Sequence, residues 1–143
     1  MARPIAVARH PIVSMLLPVP IVCFVGALLT DLSYVNSGGN LMWVNFSSWL
    51  IAAGLTFGGI TLVVMIIDAL RARGRHEGSV WLPFIVLGLA WVIEFLNALI
   101  HARDGWTAVV PTGMILSIVG ALLALAAGWL SRSAIDPVIG DAR

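Results

Sequence analysis

Apolar residues run along this chain in four long, nearly continuous blocks, near residues 11–32, 43–70, 80–100 and 108–130. A helix crossing the hydrocarbon core of a bilayer needs about 20 apolar residues, so each block predicts a transmembrane helix. A membrane β-barrel would alternate apolar and polar positions, and these blocks do not. The connections SYVNSGGNLM, RARGRHEGS and HARDGWT are short. Short links between successive spans dictate an antiparallel up-down bundle. The predicted fold class is therefore all-α and integral to a membrane, with one four-helix domain over residues 1–143.

Composition supports lipid as the solvent. Hydrophobic residues make up 60% of the chain and charged residues 10%. An ordinary soluble domain is about 25% charged, and a soluble protein of this size has too much surface to hide so many apolar side chains. A formal net charge of +1 gives no bulk attraction to nucleic acid. The single cysteine, Cys23, has no partner in the chain for a disulfide or a metal site and reads as a small apolar filler. The start of the chain carries basic residues before its apolar run but no Ala-x-Ala cleavage pattern, so a retained anchor is expected rather than a removed signal.

The basic residues are all arginine, and their placement predicts an orientation. Arg3 and Arg9 precede the first span, Arg71, Arg73 and Arg75 follow the second, and Arg132 and Arg143 follow the fourth. Only Arg103 falls at the opposite end. The positive-inside bias then places both termini in the cytoplasm, in a multi-pass protein of a bacterial inner membrane.

Several positions refine the picture. Pro18 and Pro20 lie inside the first block, where a missing donor and a clash with the preceding turn should kink the helix or delay its start. Gly54 and Gly58 form a G-x-x-x-G pair, and Gly113, Ser117, Gly120, Ala121 and Ala124 leave small residues along the fourth span. Small residues let helices approach closely. Packing within the chain is the first reading, and a seam for self-association or another membrane subunit is the second. Trp43, Trp49, Trp81, Trp106 and Trp129 fall near span ends, as an interfacial aromatic belt requires, and Trp91 lies deeper.

Ionisable groups within a span are costly, so each needs a reason. Asp68 and Arg71, three residues apart, can pair on one helix face. Asp31 falls at the outer end of the first span, within reach of the outer headgroups. Glu94 is deeper, about 21 Å along the third helix from Val80. Glu94 and His101 lie within about 20° of each other around that helix, with Asn97 about 60° to one side. Together they predict a polar ladder that rises to the outer rim. Asp31, Tyr34, Asn45, Ser47, Ser48 and Thr112 are the other groups at its level.

Three readings compete for Glu94, Asn97, His101 and Asp31. The first is a structural hydrogen-bond network, with Glu94 protonated or bonded to neighbouring helices. The second is an outer-leaflet pocket for a quinone ring or a lipid headgroup. The third is a proton path, which the inner part of the third helix, VWLPFIVLGLAWVI, does not continue. A bis-histidine haem needs two imidazoles facing one iron. His10 and His76 are predicted inside and His101 outside, roughly 30 Å away, so haem is disfavoured. No cofactor and no metal site is predicted. Nucleotide loops, zinc spacings and serine-nucleophile motifs do not occur, which points away from an enzyme.

Three stretches carry a family resemblance: HPIV, then PVPIVCFVGALLTDLSY, then WVNFSSWLIAAGLTFGGITLVVMIIDAL. They resemble a family of small bacterial membrane proteins catalogued as domain of unknown function 2231. The family pattern falls on His10, Pro11, Pro20, Asp31, Trp49, Gly54 and Asp68, with Asn97 in FLNALIHARDG matching an asparagine late in the third helix. Two departures stand out. The HP dipeptide lies further from the proline pair, and the third helix begins VWLPF where the family carries a histidine. The resemblance implies no assigned activity. Family members sometimes accompany redox domains, which implies an electron-transfer membrane. The resulting expectation is a non-catalytic accessory or scaffold subunit of a respiratory or photosynthetic complex. The alternatives are a small quinone-linked redox protein and an oligomeric transporter.

Overall fold

The computed structural model describes residues 11–71, 81–103 and 109–133. Five helices follow in order: α1 (Pro11–Leu16), α2 (Pro18–Asn36), α3 (Leu41–Arg71), α4 (Trp81–His101) and α5 (Thr112–Ser133). Ile12–Asn36, Leu41–Arg71, Trp81–His101 and Thr112–Ser131 are long and apolar enough to cross a membrane. The predicted four-span, all-helical class is therefore what the chain adopts, with span ends moved by a few residues. His10, His76, Arg73, Arg75, Trp106 and the starts of the third and fourth predicted spans lie outside the described residues.

The proline expectation resolves into a one-residue break. Leu17 keeps helical dihedrals and its own backbone bond to Val13 (2.9 Å), but Pro18 and Pro20 have no N–H with which to continue the ladder. The α2–α3 link is tighter than the predicted loop. Gly38 and Gly39 take φ values of 71° and 93°, which a side chain would resist, and the Gly39 N–H returns to the Tyr34 carbonyl at 3.0 Å. Asn40 then caps α3, its Oδ1 accepting the Met42 N–H at 3.0 Å.

The spans close into a ring, α2 against α3, α3 against α4, α4 against α5, and α5 back against α2. On α3 and α4 the buried residues recur at alternating spacings of three and four. On α4 they are Pro83, Leu87, Ala90, Glu94, Asn97 and His101, and on α3 they are Val44, Ser47, Ile51, Gly54, Gly58 and Thr61. That spacing keeps one face of both helices toward the bundle axis. Many of the large apolar side chains point the other way, with Met15, Trp49 and Trp129 each more than 70% exposed. Lipid is as apolar as leucine, so little draws them inward, and small and polar groups share the interior with a few large ones, Phe24, Ile51 and Leu87.

The small residues do their work within the chain. A methyl group added at Gly54 would press on the Phe24 ring and on Cys23 Cβ, and one at Gly58 would meet Trp91 and Pro20. On α5, Gly113, Ser117, Gly120, Ala121 and Ala124 are all buried. These faces are therefore occupied inside the bundle, and a seam between chains cannot use them without opening it. Trp91, the tryptophan below the belt, donates its indole N–H to the Leu55 carbonyl (2.8 Å) and stacks on Phe95.

Candidate functional site

The helices meet in a buried polar cluster in the half of the bundle that carries the α2–α3 and α4–α5 links. Asp31 comes from α2, Ser47 from α3, Glu94, Asn97 and His101 from α4, and Ser117 from α5. Asp31, Ser47, Glu94, Asn97 and Ser117 are fully buried, and His101 is 5% exposed. Glu94 lies seven residues before the end of α4 and Ser117 five after the start of α5. At about 1.5 Å per residue, this sets the deepest groups roughly 8–10 Å below the helix ends.

Hydrogen bonding orders the cluster into a chain. The Asn97 amide donates to Glu94 Oε2 at 2.9 Å and to Ser117 Oγ at 2.8 Å. The Ser117 hydroxyl donates to Asp31 Oδ2. The other Asp31 oxygen lies 3.0 Å from His101 Nε2. His101 Nδ1 sits 3.1 Å from the Asn97 carbonyl, which can only accept, so Nδ1 bears a proton. Ser47 Oγ lies 3.3 Å from both His101 Nε2 and the Ala27 carbonyl. One proton is then shared between His101 Nε2 and Asp31 Oδ1. Whichever atom holds it, the pair as a whole is neutral.

Apolar groups close the cluster on both sides. Tyr34, Val44 and Val109 pack together toward the links, with Trp43 and Met114 against them. Phe24, Ala90 and Ala124 form the layer on the other side. Gly120 faces Glu94 so closely that an added methyl group would overlap the carboxyl, at 2.8 Å from Cγ. The absent side chain at Gly120 is what lets the glutamate lie between α4 and α5.

These positions correct several expectations. Asp31 does not reach the headgroups. It is wholly buried, because both its oxygens have donors on α4 and α5. The ladder does not open at its outer rim, because His101 is the last residue of α4 and turns inward onto Asp31. Asn45 and Thr112 are exposed, Ser48 bonds its own Val44 carbonyl (2.9 Å), and Tyr34 belongs to the apolar lid. Among the described residues no ion pair joins Asp68 to Arg71. Of the other family-pattern residues, Pro11 begins α1, Pro20 and Gly54 are buried packing positions, and Trp49 faces outward.

Ser117 and Gly120 had read only as small packing residues. A signal for them existed: Ser117 precedes Gly120 by three positions, at the depth where α5 must pass Glu94 in an up-down bundle. As for ligands, among the described residues no three His, Cys, Asp or Glu side chains are placed to hold a metal ion. Both ring nitrogens of His101 are engaged within the protein. Among the described residues, two buried acceptors have no hydrogen-bond partner, Glu94 Oε1 and Asn97 Oδ1.

Neither a curated protein nor a solved structure matches the chain. Residues 9–135 match the family described as "Predicted membrane protein (DUF2231)", an interval that takes in every described helix, and the chain belongs to that family.

Proposed function

We propose that this protein is a non-catalytic accessory or scaffold subunit of a larger assembly in a bacterial inner membrane. It is read as a single four-helix domain with both termini in the cytoplasm, which puts the polar cluster in the outer half of the bilayer. The observation that carries the proposal is the use to which the polar side chains are put. Asp31, Ser47, Asn97, His101 and Ser117 bond one another across four helices, in a layer closed by apolar groups on both sides. Such a layer fixes the register of the spans and leaves the outward surface apolar.

A quinone-linked role for the same residues is less well supported. A quinone ring needs an opening to the cluster, whereas Asp31, Glu94, Asn97 and Ser117 are fully buried and apolar layers lie on both sides of them. A transporter role would need a polar route through the other half of the bundle. There an apolar cluster of Leu17, Leu87 and Ala127, with Ile21, Leu62, Met65 and Val86 around it, is accompanied by two buried hydroxyl side chains, Thr61 and Ser131. The family's link to redox domains favours a respiratory or photosynthetic complex as the setting.

Mild solubilisation from native membranes, followed by native electrophoresis and mass spectrometry, tests the proposal. The expected result is a defined higher-mass complex in which another membrane protein is present stoichiometrically and is lost when this chain is deleted. Migration as a lone monomer with no companion would overturn it.

A further inference from the structure

We propose that Glu94 is a proton-binding site, a buried carboxylic acid whose acid proton is the ligand that completes the cluster. The argument rests on donors and acceptors and does not depend on the scaffold reading. Each donor in the cluster already has an acceptor. Both Asn97 amide protons are used, on Glu94 and Ser117. The Ser117 hydroxyl goes to Asp31, and the two His101 nitrogens face the Asn97 carbonyl and Asp31. The amide orientation is fixed by the same chain. Ser117 gives its only proton to Asp31, so its oxygen must receive one from Asn97.

What remains is a surplus of two acceptors, Glu94 Oε1 and Asn97 Oδ1, on the same face of α4. One proton reduces that surplus. On Oε1 it turns an acceptor into a donor and leaves Asn97 Oδ1 as the acceptor in the cluster without a donor. Charge leads to the same answer. The titratable groups that share this core with Glu94 are Asp31 on α2 and His101 on its own helix, and their pair is neutral. From α3 and α5 the cluster receives only Ser47 and Ser117. An ionised Glu94 would thus be the one net charge in the cluster, and an uncompensated buried charge is costly. Space disfavours a metal cation there, since the carboxyl lies directly against Gly120.

Infrared spectroscopy of the full chain in lipid bilayers at neutral pH tests this. The chain has two glutamates, Glu77 and Glu94, so ¹³C-glutamate labelling nearly isolates the group. The expected result is a carboxylic-acid C=O band that shifts on labelling and in D₂O, persists in Glu77→Gln and disappears in Glu94→Gln. If Glu94→Gln does not fold, the labelled Glu77→Gln protein, whose only glutamate is then Glu94, assigns the band alone. The absence of a label-sensitive acid band would overturn the proposal, and so would a band removed by Glu77→Gln. A water bridging an ionised Glu94 to Asn97 would give the first of these results.

Discussion

Gly120→Ala puts the contact between α5 and Glu94 to a direct test. The new Cβ would lie 2.6 Å from Glu94 Cδ and 2.8 Å from Cγ, with the carboxyl oxygen closer still. Carboxyl groups at the end of a side chain usually swing aside cheaply. This one is fully buried, bonded to Asn97, and bounded by packed helices. Either α4 and α5 separate, or the carboxyl turns away and the Asn97 amide loses an acceptor. Overpacking of this kind costs about 1–3 kcal/mol, and a buried donor left unsatisfied costs about 1–3 kcal/mol more. Relaxation shares the two, so the expected loss is about 2–4 kcal/mol, or on the order of 10 °C in melting temperature. Cys23 is the single cysteine and is buried, so a thiol-reactive dye reports unfolding in detergent without an added label. The decisive comparison is a double-mutant cycle with Glu94→Ala, which removes the atoms that clash. There Gly120→Ala should cost at least about 1 kcal/mol less. An equal cost in both backgrounds would refute the contact.

Three further outcomes follow from the same geometry. Asp31→Ala strips the acceptor from both His101 and Ser117 and should cost about 3–5 kcal/mol in detergent unfolding, with Asp31→Asn losing clearly less. Gly54→Ala should destabilise by about 1–3 kcal/mol because its Cβ meets the Phe24 ring, whereas Gly88→Ala meets nothing within 4 Å and should be neutral or slightly stabilising. In a Cys23→Ser background, a cysteine at Ser37, in the exposed α2–α3 link, should react in intact cells with a membrane-impermeant maleimide. Labelling only after lysis would reverse the proposed orientation.

Block length and loop length were enough to read four spans, because a bilayer demands about 20 apolar residues and short links leave only antiparallel neighbours. Glu94, Asn97 and His101 announced a shared face through their spacing of three and four. What the sequence could not give was the rotation of each helix about its axis. In water that rotation follows from hydrophobicity, but here the outward and inward faces of α2 and α3 are nearly equally apolar. By sequence alone Asp31 therefore reads as a headgroup-level residue, although it stands opposite His101. Ser47 and Ser48 are adjacent and equivalent in the sequence, yet only Ser47 lies on the buried face of α3. Ser117 passed for a packing residue because a serine is both small and a donor, and only its neighbour across the helix pair decides which property is used.

The polar cluster sits at one end of the bundle, and its place there bears on what it does. Toward the termini the core is Leu17, Leu87 and Ala127, where apolar contacts lack direction. The break at Leu17 lies in that half as well. Toward the links, a slide of α4 by one turn, about 5.4 Å, would take His101 from Asp31 and Asn97 from Ser117 together. Individual hydrogen bonds between membrane helices contribute only about 0.6 kcal/mol on average, because displaced groups find other partners in the membrane. A linked set offers no such substitution, since each shift leaves several buried groups unsatisfied at once. The cluster thus contributes more to register than to net stability. A register fixed by a linked set of buried polar groups is what the proposed scaffold role requires, since such a subunit must present a defined helical surface.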